Sequence, residues 1–402
     1  MKRFASCIAA IAAAVLAVSP ALAQKKYGPG VTDTEIKIGQ TMPYSGPASA
    51  YGVIGKAEAA YFAMINDQGG VNGRRINLIS LDDGYSPPRT VEQTRKLVEQ
   101  EEVLLIFQSL GTPTNTATQK YLNAKKVPQL FLASGASKWS DPKNFPWTMG
   151  WNPSYQAEGR IYAQHILETK PDAKIAVLYQ NDDFGKDYVV GFKGMLGEKG
   201  AKLIVAEQTY EVTDPTVDSQ VVSLKSSGAD VLVTFATPKF AAQVIRKVHD
   251  IGWRPVHYLT NVSISVAAVL VPAGLEKATG ILSAHYIKDA TDPQWKNDPA
   301  FKVWDEWMKK YHKGADPLDG FNTYGYSTAQ TLVHVLKACG DDLTRENVMR
   351  QAANLKELEL PMLLPGIKLN TSPTDFNPIG EMVLTRFDGK RWVVTGKLLS
   401  GR

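Results

Sequence analysis

The stretch Gln108-Ser109-Leu110-Gly111-Thr112-Pro113-Thr114 follows an apolar run and opens a helical pattern. Gly111 allows close backbone approach, Thr112 supplies a hydroxyl donor, and the free N–H groups of a helix start favour an anion. Ala133-Ser134-Gly135-Ala136-Ser137 repeats the arrangement after the next apolar run. Each segment alone reads equally as a Gly/Ser turn. Paired at successive strand ends, where open α/β sheets bind ligands, they read as a cradle for a carboxylate.

Other chemistry is hard to assemble. No nucleophile elbow, phosphate loop, dinucleotide fingerprint, H-E-x-x-H or C-x-x-C occurs. The six histidines are scattered, and the closest pair, His249 and His257, lacks metal spacing. Asn181 to Asp187 is acid-rich but lacks the alternating ligands of a calcium loop, and reads as a solvated strand-to-helix turn. The expectation is a non-enzymatic protein with no cofactor and no metal.

The elements that must position the cradle alternate between β-rich and helical runs. Strands are predicted at 35–39, 76–81, 103–107 and 129–132, with helices at 54–67, 89–100 and 114–126 between them. The alternation restarts with helices at 156–168, 185–199, 217–226 and 240–251 and strands at 174–179, 203–206 and 231–235. This pattern predicts an α/β fold of two Rossmann-like lobes with mostly parallel sheets. Leu363 to Leu369 and Gly380 to Lys397 read as tail strands, with a tight hairpin at Asp388-Gly389.

Lys2 and Arg3, the apolar run Phe4–Val18 and the small-x-small Ala21-Leu22-Ala23 read as a signal peptide over residues 1–23. That run is shorter than the ~20 residues of a membrane anchor. Cleavage would remove Cys7, leave Cys339 as a buried free thiol, and lower the formal charge from +5 to +3, since Lys2 and Arg3 leave. With no run of five Lys/Arg, nucleic acid is not an expected partner.

Ile36-Lys37-Ile38-Gly39, Ser45-Gly46-Pro47 with Tyr51-Gly52, Ile65 to Gly73, Asp82-Asp83, Phe184-Gly185-Lys186-Asp187 and Gly228-Ala229-Asp230-Val231 occur in order. Together they resemble the branched-chain amino acid-binding proteins of ABC transporters, of the type I periplasmic-binding-protein family. The resemblance runs from Glu35 to the C-terminus. It implies a monomer with lobe one at 24–152 plus 284–362 and lobe two at 153–283 plus 363–402. It also implies a three-segment hinge, a periplasmic location and permease subunits as partners.

The resemblance further places the ligand carboxylate at Gln108, Leu110, Gly111, Thr112, Ser134, Gly135 and Ala136. Where amino acid-binding members pair an acidic residue with the ligand ammonium, this chain has Asn261; a neighbouring tyrosine position holds Thr237. No Asp or Glu stands beside either in the sequence, and a buried ammonium without a carboxylate is costly. Aromatic residues fall at other lining positions: Tyr51, Trp151, Tyr155, Phe184, Tyr324 and Tyr326. Each could equally be core, but together they suit a flat ring. The expected ligand is therefore an aromatic acid such as a benzoate or hydroxycinnamate. Alternatives are a branched-chain amino acid or an amide, a sensor module, and, further off, a secreted α/β hydrolase.

Overall fold

The computed structural model describes residues 25–401, so the signal-peptide expectation lies outside the described residues. In chain order the strands are β1 (Lys26–Tyr27), β2 (Glu35–Met42), β3 (Arg75–Asp82), β4 (Ile106–Phe107), β5 (Gln129–Leu132), β6 (Thr148–Gly150), β7 (Ile175–Gln180), β8 (Ile204–Tyr210), β9 (Val231–Phe235), β10 (Val256–Leu259), β11 (Leu282–His285), β12 (Asp342–Leu343), β13 (Glu381–Phe387) and β14 (Trp392–Ser400). The helices are α1 (Gly52–Asp67), α2 (Pro87–Glu99), α3 (Thr112–Ala124), α4 (Tyr155–Thr169), α5 (Asp183–Ala201), α6 (Asp218–Ser226), α7 (Pro238–Asp250), α8 (Val271–Ala273), α9 (Pro299–Tyr311), α10 (Gly320–Ala338) and α11 (Arg345–Ala352).

Two sheets organise the chain. The first, in order β3-β2-β4-β5-β6, is wholly parallel. The second, in order β14-β13-β11-β10-β9-β7-β8, is parallel except for the β13–β14 hairpin at its edge. β2 and β9 carry nearly continuous buried runs, as strands covered by helices on both faces must. The expected α/β fold is therefore present, and Asp388-Gly389 makes the predicted hairpin turn. Asp388 accepts from the Lys390 and Arg391 N–H groups there.

Some expectations change. Of Val103 to Phe107 only Ile106–Phe107 is a strand, although Leu104 N–H still donates to the Lys37 carbonyl at 2.9 Å. Leu363 to Leu369 is not a strand. Pro365 and Gly366, the latter at φ +88°, break the ladder into isolated bridges, Ile287 to Leu363 and Leu358 to Leu369. Just beyond that segment, Thr371 N–H donates to the Leu355 carbonyl and Phe376 N–H to Ser140 Oγ. β13 joins the second sheet from Glu381 onward. β11 is paired in the second sheet through His285.

Cys339 is buried and free. The acid-rich turn is structural. Asp182 caps α5 by accepting from Phe184 and Gly185 N–H, and Asp183 pairs with Lys138. Asp187 accepts from Ser137 and Gln156. Among the described residues no His/Cys/Asp/Glu group is placed to hold a metal, and no helix is long and apolar enough to cross a membrane.

Candidate functional site

A cavity with about 910 Å³ of atom-free space, part of it open to solvent, lies between the sheets. Nine of the fifteen expected residues line it: Tyr51, Leu110, Gly111, Thr112, Tyr155, Phe184, Thr237, Asn261 and Tyr324. The first-sheet side is built where β4 ends. Gly111 sits at φ +103° and ψ 151°, a conformation essentially reserved for glycine, and turns the chain into α3. The first N–H groups of α3 have no acceptor within the helix.

Thr112 owes its availability to a relay. Trp139 Nε1–H donates to Ser134 Oγ at 2.8 Å, and Ser134 Oγ lies 2.7 Å from Thr112 Oγ1. The Ser134 and Thr112 hydroxyls share a hydrogen bond in which either can donate. When Ser134 donates, the Thr112 hydrogen is free for the cavity.

The remaining expected residues support the wall rather than line it. Ser134 is the middle of the relay, and Ala136 precedes the short turn Ser137–Trp139 that brings Trp139 within reach. Gly135 lets the crossing pass close by: a Cβ there would lie 2.2 Å from the Pro153 carbonyl. Trp151 stands behind the wall, donating to Thr331 Oγ1 at 3.0 Å and packing on Tyr324 at 5.3 Å. Gln108 is buried at φ +50° and accepts from the Tyr324 hydroxyl at 3.3 Å. Tyr326 points elsewhere. Two residues after Tyr324 on α10, it takes the other helix face and packs on Tyr61 and Trp307.

The second-sheet side corrects one expectation. A carboxylate does stand beside Asn261: Glu158, from α4, accepts the Asn261 backbone N–H at 2.7 Å. It also accepts from the Tyr162 and Tyr188 hydroxyls, at 2.5 and 2.8 Å, and Thr260 Oγ1 donates to Tyr188 at 2.6 Å. Glu158 is fully buried and is not part of the cavity lining. Burial raises its pKa to about 7. Sequence distance concealed the pairing, since 103 residues separate the partners. The Asn261 side chain reaches back to Met382 Sδ at 3.7 Å, and Thr237 Oγ1 donates to Gln180 at 3.2 Å.

Residues absent from the sequence-based set complete the cavity. Tyr85 follows β3 at φ +60°; Phe321, at the start of α10, packs on Tyr51 with centroids 5.0 Å apart. His285, Tyr286, Ile287, Lys288 and Asp289 come from the second crossing, and Trp392 from β14. The only signal for the crossing residues was the expected lobe boundary near 284, since a chain passing between lobes must border the cleft. Asp289 is held by Thr291, whose N–H and hydroxyl donate to it at 2.9 and 2.6 Å, and burial raises its pKa. Lys288 is paired with Asp298 at 2.7 Å. The cleft is bridged by Tyr51 O–H to the Val262 carbonyl at 3.1 Å, Ser137 N–H to Asp187 at 2.8 Å, and Ser265 to Asp319 at 2.8 Å.

Two wound α/β lobes, three crossings and an interlobe cavity define a clamp of the type I periplasmic-binding-protein fold. The family model described as periplasmic binding protein matches residues 35–391, and the chain belongs to that family. It is 25% identical over 406 residues to Leu/Ile/Val-binding protein homolog 7 of Brucella abortus, covering 96% of this chain and 95% of the relative. Among solved structures it is similar in fold to a branched-chain amino acid ABC transporter protein from Thermus thermophilus with bound valine. That match has a TM-score of 0.82, 17% identity and coverage of 92% and 97% of the two chains. A fatty acid ABC transporter substrate-binding protein from Thermomonospora curvata matches with a TM-score of 0.79 and 24% identity, covering 94% and 95%.

Proposed function

We propose that this chain is the periplasmic solute-binding component of an ABC importer, captures an aromatic carboxylic acid between its lobes, and delivers it to membrane permease subunits. The observation that carries the ligand class is the cavity wall. Tyr51, Tyr85, Tyr155, Phe184, Phe321 and Tyr324 all contribute rings to it. Such walls hold a flat ring by stacked and edge contacts. The Gly111–Thr112 turn supplies donors for the carboxylate, and closure of the hinge shields both from water. The signal-peptide pattern at residues 1–23 supports export, and the protein acts as a monomer.

One observation favours a second reading. Asp289 lines the cavity and could receive the ammonium of a branched-chain amino acid, the ligand class named for the Brucella and Thermus relatives. Both of its oxygens already accept hydrogen bonds from Thr291. The aromatic acid is preferred on that ground.

A thermal-shift screen should place benzoate-like and cinnamate-like acids ahead of leucine, isoleucine and valine. Saturation at 100 times the dissociation constant adds about 2.7 kcal/mol of stability. Micromolar leucine binding by calorimetry, without response to aromatic acids, would overturn the aromatic reading.

Thr112→Val tests the cradle. Losing one hydroxyl donor to a charged group is worth about 1.5–3 kcal/mol, so affinity for the best acid should fall by about one to two orders of magnitude. Ser134→Ala, which removes the hydroxyl between Trp139 and Thr112, should weaken binding less. Wild-type affinity in both variants means that the carboxylate is held elsewhere.

A further inference from the structure

His285 ends β11 where the chain leaves the second sheet, and it lines the cavity. Its ring packs on the Trp392 indole, with centroids 4.9 Å apart and planes at 53°. The indole is itself fixed, since Trp392 Nε1–H donates to the Ile264 carbonyl at 3.0 Å. Burial lowers the His285 pKa to about 3, so the imidazole is neutral throughout the neutral pH range.

Its Nε2 is buried and makes no hydrogen bond within the protein. The other fully buried histidine of this sheet behaves differently: His257 Nε2 lies 2.9 Å from Thr234 Oγ1. The charged neighbours of His285 in the cavity are also satisfied, Lys288 by Asp298 and Asp289 by Thr291. His285 thus combines a place in the cavity lining with a ring nitrogen that has no partner within the protein. A buried nitrogen in that condition is expensive unless a ligand completes it.

We propose that His285 is a specificity-determining residue that hydrogen-bonds a hydroxyl group of the captured acid, so that the ligand class is a hydroxylated aromatic acid rather than its parent. This rests on the aromatic-acid reading above. A hydroxyl both donates and accepts, so it complements either tautomer of a neutral imidazole. An ammonium can use only the acceptor tautomer. Because Gly111 and Thr112 lie at the end of the first sheet and His285 at the end of a strand of the second, the two polar groups are read from opposite lobes. Recognition would therefore be complete only when the cleft is shut.

The test is calorimetry with two matched pairs, 4-hydroxybenzoate with benzoate and 4-hydroxycinnamate with cinnamate, on wild type and His285→Phe. Phenylalanine keeps a ring against Trp392 and removes the nitrogen. Wild type should prefer the hydroxylated member of at least one pair by about tenfold. His285→Phe should bind both members of each pair alike. Absence of a preference in wild type, or its persistence in His285→Phe, overturns the proposal while leaving the aromatic-acid reading intact. Binding of leucine with neither pair overturns both. If His285→Phe does not fold, His285→Gln decides: an unchanged preference overturns the proposal, and a reduced preference supports it.

Discussion

Gly111→Val is expected to abolish measurable capture of the best acid found by the thermal-shift screen, a loss exceeding about a hundredfold. Two independent costs combine. The backbone at φ +103° and ψ 151° lies where side-chain-bearing residues are strained, by about 1–3 kcal/mol. A Cβ would also stand 2.5 Å from the Tyr85 ring and 2.6 Å from Thr114 Oγ1. Neither neighbour can retreat cheaply. Tyr85 is buried at the cavity wall, and Thr114 Oγ1 is hydrogen-bonded to the Leu110 and Gly111 carbonyls. Relief must come from moving the turn itself, which displaces Thr112 and the first N–H groups of α3 together. Gly111→Ala carries the backbone cost and the same first contacts without the branched methyls, so it should lie between wild type and valine. Calorimetry reads the affinity and thermal melting reads the strain. A valine variant that binds and melts like wild type would mean that neither the turn nor its conformation matters.

The parts of this architecture that rest on local pattern were legible in the chain. Val231–Phe235 is a strand because five consecutive apolar or β-branched residues suit a ladder covered on both faces, and the predicted bounds match those observed. The Gly111–Thr112 turn was visible because its residue types announce a special backbone at a strand end. What escaped was long-range. Glu158 meets Asn261 across 103 residues, and no window of sequence contains both. Tyr326 was grouped with Tyr324 by composition, yet residues two apart on a helix cannot share a face. Leu363 to Leu369 looked like a strand from its apolar content, but Pro365 and Gly366 outweigh propensity. His285 carried no signal of its own, because an orphaned nitrogen is a property of its surroundings.

Stability is expected to fall as pH rises from about 4.5 to about 8, and Glu58→Gln is expected to remove a large part of that fall. Glu58 sits on α1 with no solvent exposure, accepting from Gln40 Nε2 at 2.5 Å and Thr328 Oγ1 at 2.9 Å. Burial outweighs these donors and raises its pKa from 4.5 to about 8. A carboxyl whose folded pKa exceeds its unfolded value holds its proton better in the folded state. Its stabilising contribution is complete below pH 4.5 and is lost as pH climbs through about 8, at up to about 1.4 kcal/mol per pH unit. The protonated form has somewhere to donate: Thr328 Oγ1 lies 3.0 Å from the Gly325 carbonyl, so it can turn its hydrogen there and accept from Glu58. Glutamine reproduces that arrangement at every pH, with its oxygen accepting from Gln40 and its amide donating to Thr328. The two proteins should therefore melt alike near pH 5. The variant should melt several degrees higher at pH 9, where wild type must hold a desolvated charge. Glu158, with its pKa raised to about 7, adds to the fall in both proteins and cancels in the comparison. Melting curves that stay parallel from pH 5 to pH 9 would show that Glu58 is not the group whose proton is lost.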